Sequence, residues 1–517
     1  MFAAPPPLPR KLLQGLYGVI MVIMLTAPLL LGLFLKWRAT DSTPEFVAIS
    51  VYSLANLLHF VAQLTAAILN RRVANHWHQT LELDPDTSYG VLVVGRQENP
   101  AYFRACLEGV RQLQNPPPRQ VWVVIDGNDP EEDLYMVDIV MEVFAESPEP
   151  SPRVTCIAQP AAGKRAAMYR VLRDGGTTDA TYMLCTDSDT VITPETPAAM
   201  KQILDNQPGT AAVTGNVTIF NLGNFLTHMV KFKYWFAFNL ERAAQSYFGC
   251  VSCVSGPLGM YRMDAIRPLL DSWRYQRFCC NQEATYGDDR HLTNLLLSAG
   301  HKIHYTHHAE CATETPAELL RWFTQQTRWG RSFVREFILN VGWFWRVSWW
   351  LTYDLVYLAF YSLFLFVFAV VLLVGSPSTE TLLNILIVSL IMASLRALYA
   401  VILERSVAFL LFGWFGALYF VTLLPLKIWS GLTVFVVTWG TSTRRRVITT
   451  NATTWATWLD SWPVVTWSAF IMQAIVRAVV RDGAVQVLNL WGEWVAIGAF
   501  LSFSMGIWWC GVQKQTQ

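Results

Sequence analysis

Charged side chains are scarce in this sequence. Asp, Glu, Lys and Arg make up 15% of its 517 residues, against about 25% in ordinary soluble domains. With 39 basic and 38 acidic residues the formal net charge is +1, and no basic stripe runs along any segment. Nucleic acid is therefore not an expected partner. Cysteine is limited to nine positions. Cys250-Val-Ser-Cys253 has zinc-like spacing, but no second ligand pair lies at a suitable distance, so a zinc site is not expected there. The first long apolar run, Leu16 to Leu35, lacks a clean small-residue cleavage site and is too long for a signal-peptide core. It reads as a retained span.

Apolar residues are plentiful instead, at 53% with 22 tryptophans, and they are clustered. Leu16 to Leu35, Phe46 to Leu69, Leu351 to Val374, Leu382 to Leu403, Val407 to Val437 and roughly Val485 to Trp509 are each long enough to span a bilayer as a helix. The chain reads as a multi-pass integral membrane protein. Arg10 and Lys11 precede the first hairpin, and Arg71 and Arg72 follow it. The positive-inside rule then puts both its ends, and the polar section after it, in the cytoplasm. Cys106, Cys156, Cys185, Cys250, Cys253, Cys279, Cys280 and Cys311 are accordingly expected as free thiols.

From about Asp84 to Arg331, short β-rich runs alternate with helical stretches. "GVLVV" (Gly90 to Val94), "QVWVVID" (Gln120 to Asp126), "VTCIA" (Val154 to Ala158) and "YMLCTD" (Tyr182 to Asp187) read as buried strands. Ala101 to Gln114, Glu131 to Phe144 and Lys164 to Arg173 have helical spacing. This alternation implies a doubly wound, mostly parallel sheet, which binds ligands at the carboxyl ends of its strands. Asp126 and Asp187 stand at two such ends. Asp187-Ser188-Asp189 offers two carboxylates at i, i+2, able to hold a hard divalent cation that keeps other positions for water and phosphate; the plain alternative is a polar turn. Lys164-Arg165, after Gly163, can supply cations to a nucleotide or simply start a solvated helix. Asp288 and Asp289 suit the positive end of a helix dipole and read equally as an acidic cap.

Two further stretches are amphipathic. In Phe225 to Phe248, one face carries Phe225, Met229, Phe232, Phe236, Leu240 and Tyr247; in Val334 to Trp345, one carries Phe337, Ile338, Val341 and Trp345. Beside membrane spans such helices can lie in the bilayer interface, or pack on the sheet as core.

Asp126, Asp187-Ser188-Asp189, Gly287-Asp288-Asp289 and "QQTRW" (Gln325 to Trp329) stand in the order of the D, DxD, [TEG][ED]D, QxxRW set. Together with spans before and after the domain, the chain resembles the processive family 2 glycosyltransferases over nearly its whole length. Within them, "SGPLGMYR" (Ser255 to Arg262), "GDDRHLTN" and "WGTSTRRR" (Trp439 to Arg446) are most similar to class I hyaluronan synthases. The resemblance implies a GT-A-like sheet and inverting transfer from UDP-sugars with Mn²⁺ or Mg²⁺. By the same resemblance, Asp126, Lys164, Asp187, Asp189 and Arg328 contact the donor nucleotide, with Asp189 and Asp187 on the metal. Trp439, Thr441 and Arg444 belong to a segment that closes over the nucleotide. Asp289 is the implied general base, taking the acceptor hydroxyl proton, and Trp329, Ser255, Gly256 and Gln325 face the acceptor sugar. Ala284 departs from the family, which often has Cys nearby.

The expected organisation is a membrane α-helical bundle plus a cytoplasmic α/β domain. It runs as a transmembrane hairpin (1–83), a glycosyltransferase domain (84–331) with an interfacial helix near 225–248, an interfacial amphipathic helix (332–350) and a membrane region (351–517). Placing Trp439 to Arg446 in the cytoplasm requires one preceding apolar block not to cross once; Val407 to Val437, interrupted by Pro425, is a candidate. Asn451-Ala-Thr453 would then be an unused glycosylation sequon. Arg396 inside a span is costly, and either faces an aqueous path for a polyanion or pairs with Asp354 or Glu404. The expected function is hyaluronan synthesis from UDP-GlcNAc and UDP-GlcA at the plasma membrane. The growing chain and the lipid bilayer are partners, and no obligatory protein partner is expected. A chitin-type synthase using UDP-GlcNAc alone, or a transporter with a sugar-nucleotide-sensing domain, are the alternatives.

Overall fold

The computed structural model describes residues 44–130, 133–145, 152–174, 180–278, 281–375, 377–436 and 455–489. The expected span at 16–35, the segment from Trp439 to Arg446 with Thr441 and Arg444, Asn451, and the stretch beyond Asn489 lie outside the described residues.

The four apolar runs form adjacent parallel strands: β1 (Tyr89–Gly95), β2 (Gln120–Asp126), β3 (Arg153–Gln159) and β4 (Tyr182–Asp187). Helices α2 (Pro100–Arg111), α3 (Tyr135–Ala145) and α4 (Lys164–Asp174) link them in the expected alternation. Every residue of β1 is buried, as a strand covered on both faces requires. β3 differs from the sequence reading. It has β2 as its one neighbour, at the edge of the sheet, and Val154 to Ile157 are only half-buried.

Past β4 the sheet becomes mixed and reaches eight strands, in the order β3-β2-β1-β4-β7-β6-β8-β5. Here β5 is Val191–Ile192, β6 Thr210–Ile219, β7 Gly259–Arg262 and β8 Lys302–Thr313. β7 runs antiparallel to both β4 and β6, while β8 is parallel to β6. Val94 pairs with Asp187 and Gly95 with Ile125. Asp126 and Asp187 therefore flank the end of β1 on one edge of the sheet, about 10 Å apart by strand spacing.

α5 (Thr196–Asn206) covers β6 and β8. The stretch from Phe225 begins as α6 (Phe225–Phe236), passes through a π turn at Ala237–Arg242 and ends as α7 (Ala243–Tyr247). Met229, Phe232, Phe236 and Leu240 are buried against protein, whereas Phe225 and Tyr247 are exposed. The wider turn shifts the helical phase, so Tyr247 leaves the face that straight α spacing assigns it. That face is core packing.

α8 (Asp288–Ser298) precedes β8, and α9 (Leu319–Asn340) follows it. α9 contains both QQTRW and the first half of the second amphipathic stretch, so residue 331 is no element boundary. The chain turns after Asn340 and enters α10 (Trp349–Val374). Ile338, Leu339 and Trp345 point outward, while Phe344 is buried.

Four helical segments among the described residues are long and apolar enough to cross a membrane: Ser53–Thr80, Trp349–Val374, Val407–Leu432 and Ser461–Asp482. The first belongs to α1 (Pro44–Thr80). The last belongs to α13 (Trp455–Asn489), which the sequence reading missed because Pro463, Arg477, Arg481 and Asp482 interrupt its apolar run. α11 (Thr379–Glu404) carries Arg396. The block from Val407 is a 3₁₀ turn, a short helix, a π turn and α12 (Leu424–Leu432), with Pro425 in its first turn. Both its ends rest on the α/β domain. Phe409 and Phe412 pack on Phe232 and Phe236, with ring centroids 5.0 and 4.1 Å apart. At the other end Ser430 Oγ donates to Thr327 O (3.1 Å), and Arg331 Nε donates to Thr433 Oγ1 (2.9 Å).

Arg396 pairs with neither expected carboxylate among the described residues. Asp354 accepts from Gln63 and Gln245, Glu404 accepts from Trp235 Nε1 (2.7 Å), and the Arg396 guanidinium lies 5.7 Å over Phe60.

Candidate active site

The site forms where the carboxyl edge of the sheet meets the N-terminus of α8 and one face of α9. Asp126 is buried at the end of β2. Its carboxylate accepts from the backbone of Ala162 and Gly163 (both 2.8 Å) and from Gln159 Nε2 (3.2 Å). It thereby clamps the loop that starts α4 and presents Lys164. The Lys164 ammonium bonds Asp187 Oδ1 and lies 3.8 Å from Asp288 Oδ2. Burial works against this cation, but the carboxylates of Asp187, Asp288 and Asp289 together hold its pKa above the ordinary lysine value. Burial, then Asp189 and Asp288, push Asp187 the other way from Lys164, above the usual carboxylate range.

The DSD turn splits its side chains. Ser188 Oγ donates to Glu98 Oε2 (3.0 Å), while Asp189 accepts at 3.4 Å from Thr190 and from Thr313 of β8. Asp187 and Asp189 are hard oxygen donors at i, i+2, and no group of three ligating side chains occurs among the described residues. Such a pair fits a divalent cation whose other positions are filled by water and diphosphate oxygens. Ser255 and Gly256 lie over the end of β4, where Thr186 Oγ1 donates to Pro257 O (2.9 Å). A Cβ at Gly256 would sit 3.1 Å from Lys164 Nζ and 3.4 Å from Asp187 Oδ2. Ser255 and Gly256 thus line the same pocket as Lys164, Asp288 and Asp289.

Gly287 takes φ 77° at the N-cap of α8, and a Cβ on it would meet Ser332 Oγ at 2.2 Å. Only glycine suits both demands. The preceding carbonyl, of Tyr286, accepts from Arg335 (2.6 Å) and Arg165 (3.4 Å). Arg165 is buried on Trp273 O and Gln276, so it pins this turn. Glu336 ties α9 to α8 by accepting from Asn294 (3.1 Å) and Gln276 (2.5 Å) and meeting His291 Nδ1 (3.2 Å). Burial raises its pKa, but the His291 and amide bonds outweigh that and hold it at about 2. Tyr286 OH also donates to Val436 O, beside the stretch that leads to Trp439.

This scaffold sets Asp289 half-buried at the first turn of α8. Its Oδ1 accepts from Arg290 N (2.7 Å) and its Oδ2 from the Cys253 thiol (3.5 Å). Burial and the Asp289 charge push the Cys253 thiol up to about 12, so it stays a donor. Gln325, Arg328 and Trp329 occupy i, i+3 and i+4 on α9, one helical face. Arg328 faces the carboxylates of Asp288, Asp289 and Asp187, and burial lowers its pKa despite them. Gln325 accepts from Gln326 (3.3 Å). Trp329 is 36% exposed, with Tyr234 at 6.3 Å and Lys233 Nζ 5.8 Å over its ring. Burial, then Lys427, push the Lys233 ammonium down to about 7.

Residues with no motif support this site. Gln245 Nε2 donates to Asp354 Oδ2 (2.6 Å), its Oε1 accepts from Ser252 N (2.9 Å), and its carbonyl accepts from Cys250 N (3.1 Å). Gln63 Nε2 donates to the other Asp354 oxygen (3.1 Å). One amide thus joins α10 to the loop carrying Cys253, Ser255 and Gly256. Gln245→Leu is expected to cost about 1.5–3 kcal/mol, the weight of a bond to a buried charged group. It should show as a lower unfolding midpoint and slower UDP release, and Gln245→Glu should not restore either.

The chain is 38% identical to hyaluronan synthase 3 of Xenopus laevis over 412 residues, covering 74% of this chain and 72% of that protein. It is 32% identical to human hyaluronan synthase 2 over 500 residues, covering 90% and 88%. The chain belongs to the hyaluronan synthase family. Residues 85–332 match the family model described as glycosyltransferase like family 2, so this enzyme is a glycosyltransferase with a GT-A-like domain. Among solved structures, a mannosyltransferase of Pyrobaculum calidifontis in complex with GDP-mannose and Mn²⁺ matches 74% of this chain and 99% of its own. The identity is 16% and the TM-score 0.46. Membership in the hyaluronan synthase family agrees with the order of motifs in the sequence.

Proposed function

We propose that this hyaluronan synthase builds its polymer processively, adding GlcNAc and GlcA alternately from UDP-sugars on the cytoplasmic face. It passes the chain outward between its own membrane helices at the plasma membrane and needs no protein partner. The observation that carries this reading is the convergence of Asp187, Asp189, Asp288, Asp289, Lys164 and Arg328 at one edge of the sheet, beside the half-exposed Trp329.

Asp126 holds the nucleotide loop, and Lys164 and Arg328 meet the diphosphate, the guanidinium fork suiting its oxygens. Asp189 and Asp187 hold Mn²⁺ or Mg²⁺. When bound, that ion neutralises charge developing on the departing UDP. Asp289 takes the proton of the acceptor hydroxyl as the oxygen attacks the anomeric carbon. One displacement inverts the α-linked donor to a β-linked product. Trp329, Gln325, Ser255 and Gly256 seat the terminal sugar, and Trp439, Thr441 and Arg444 close over the nucleotide. Lys233, its Nζ 5.8 Å over the Trp329 ring, favours an anionic product over a neutral one. The block from Val407, with both ends on the domain, is the apolar block that turns back without crossing. Arg396, over Phe60 and without an ion pair to Asp354 or Glu404, belongs to the path of the polyanion.

The test is UDP release and polymer formation by the purified chain with a divalent cation, given UDP-GlcNAc, UDP-GlcA, or both. Long polymer only with both donors, digested by hyaluronidase, is the expected result. Long polymer from UDP-GlcNAc alone would make the product chitin-like. Trp329→Ala is expected to lower polymer output about tenfold with UDP affinity unchanged, since lost stacking of ~1.4 kcal/mol corresponds to that factor.

A further inference from the structure

Three of the nine histidines meet outside the catalytic site, where the end of α1 rests on β8. β8 pairs with β6 up to Thr306, opposite Gly215, and resumes at Glu310, opposite Asn216. His307, His308 and Ala309 therefore have no partner on β6 and form a bulge, which bends a strand and re-aims its side chains. Gly215 lies under it: a Cβ there would sit 2.4 Å from Ala309 O. The bulge carries its two rings to α1. His308 stacks on His78, with centroids 4.0 Å and planes 14° apart, and His307 lies 4.2 Å from His308. His308 Nε2 meets Asn75 Oδ1 at 2.9 Å, so that nitrogen carries the hydrogen.

Every charge that acts on the His307 and His308 rings is positive when present. Arg71 and His78 face both from α1, and His308 faces His307; no carboxylate is among them. On β8 itself, Glu310 accepts from Asn216 (3.2 Å) and Lys302 acts on His304. β6 and α7 contain no charged residue, and Lys201 of α5 is paired with Asp205 (2.8 Å). Burial first, and the positive neighbours second, push His307 down to about 3 and His308 to about 4, from 6.5. Both rings are therefore neutral where they are packed. A ring freed from the contact takes up a proton near 6.5, so the separated state binds more protons than the packed one. The contact is whole above about 6.5 and weakens as pH falls from there toward 4. Charged rings at these separations repel, and Arg71 adds to the repulsion.

From the bulge, β8 continues to the active site. Glu310 N donates to Thr196 Oγ1 (2.7 Å), and Thr313 Oγ1 donates to Asp189 Oδ1 (3.4 Å). We propose that His78, His307 and His308 form an acid-sensitive latch, which holds α1 on β8 while neutral and, once protonated, releases it and loosens the strand that supports Asp189. No donor or acceptor residue belongs to the latch, so it stands whichever polymer the enzyme makes.

The test is hydrogen exchange read by mass spectrometry, corrected for the intrinsic rate at each pH, on the full-length chain in phospholipid nanodiscs. Between pH 7.5 and 5.5, wild-type exchange in peptides covering 71–80 and 304–310 is expected to rise about tenfold, the linkage of one histidine held at 4 or below. It should fall back on return to pH 7.5. The double variant His307→Gln, His308→Phe keeps a ring on His78 but takes up no proton at either position. Its exchange should change less than about twofold. Its UDP release should match the wild type at pH 7.5 and exceed it several-fold at pH 5.5, where any titration of the catalytic groups affects both proteins alike. Arg71→Gln leaves all three rings in place and removes one repelling charge, so its rise in exchange should begin at lower pH. No rise in the wild type, an equal rise in the double variant, or an unshifted rise in Arg71→Gln would overturn the latch. A rise in exchange with equal UDP release by wild type and double variant at pH 5.5 would overturn its link to Asp189.

Discussion

Asp289→Asn is expected to lower UDP release about 10³-fold, within the 10²–10⁴ range for loss of a general base, while UDP still binds. The amide keeps the size of the side chain and can still accept from Arg290 N and the Cys253 thiol, so the N-terminus of α8 should keep its geometry. What it lacks is the basicity to take the acceptor proton. Isothermal titration with UDP beside a turnover assay separates the two effects. Asp288→Asn is the control, because its carboxylate faces Lys164 at 3.8 Å. It should alter donor binding more than turnover at saturating donor. Turnover of Asp289→Asn within a few-fold of the wild type would show that another group takes the proton.

Chelation of divalent cations is expected to stop turnover, and added Mn²⁺ or Mg²⁺ to restore it. Asp189→Ala should lose about 10³-fold, as ~4 kcal/mol of missing charge stabilisation implies, and excess cation should not restore it. Asp187→Asn carries a second effect, since it also removes the partner of Lys164. Its loss should therefore include weaker UDP binding even without metal, a difference that calorimetry in chelator can read. Undiminished turnover in chelator would remove the cation from the reaction.

Some of this site was legible in the residues alone. Buried parallel strands need unbroken apolar runs, and such runs with a carboxylate at the end place Asp126 and Asp187 on the ligand-binding edge. Other features left no such trace. Arg165 and Lys164 are adjacent and equally basic in sequence, yet one pins the Tyr286 carbonyl and the other enters the carboxylate cluster. That split follows from the 100° between neighbouring helix positions once α4 is docked. β3 has the composition of a covered strand and stands at an edge, because strand order is set by crossover connections and not by the strand itself. The π turn at Ala237–Arg242 moved Tyr247 off its face, and one added residue in a turn has no composition signal.

Local chemistry decided which residues this enzyme has for its work: the apolar spans, the alternating strands and helices, and the carboxylates at strand and helix ends, all governed by neighbours within a few positions. Tertiary structure decided their use. Gln245 became the join between α10 and the catalytic loop because Asp354, 109 residues away, comes to rest beside it. Cys253 became a donor to Asp289 across 36 residues. The block from Val407 has the length and apolarity of a span, yet both its ends rest on the α/β domain. Hydropathy reports the solvent that a segment tolerates, whereas its ends are placed by side chains far away in sequence.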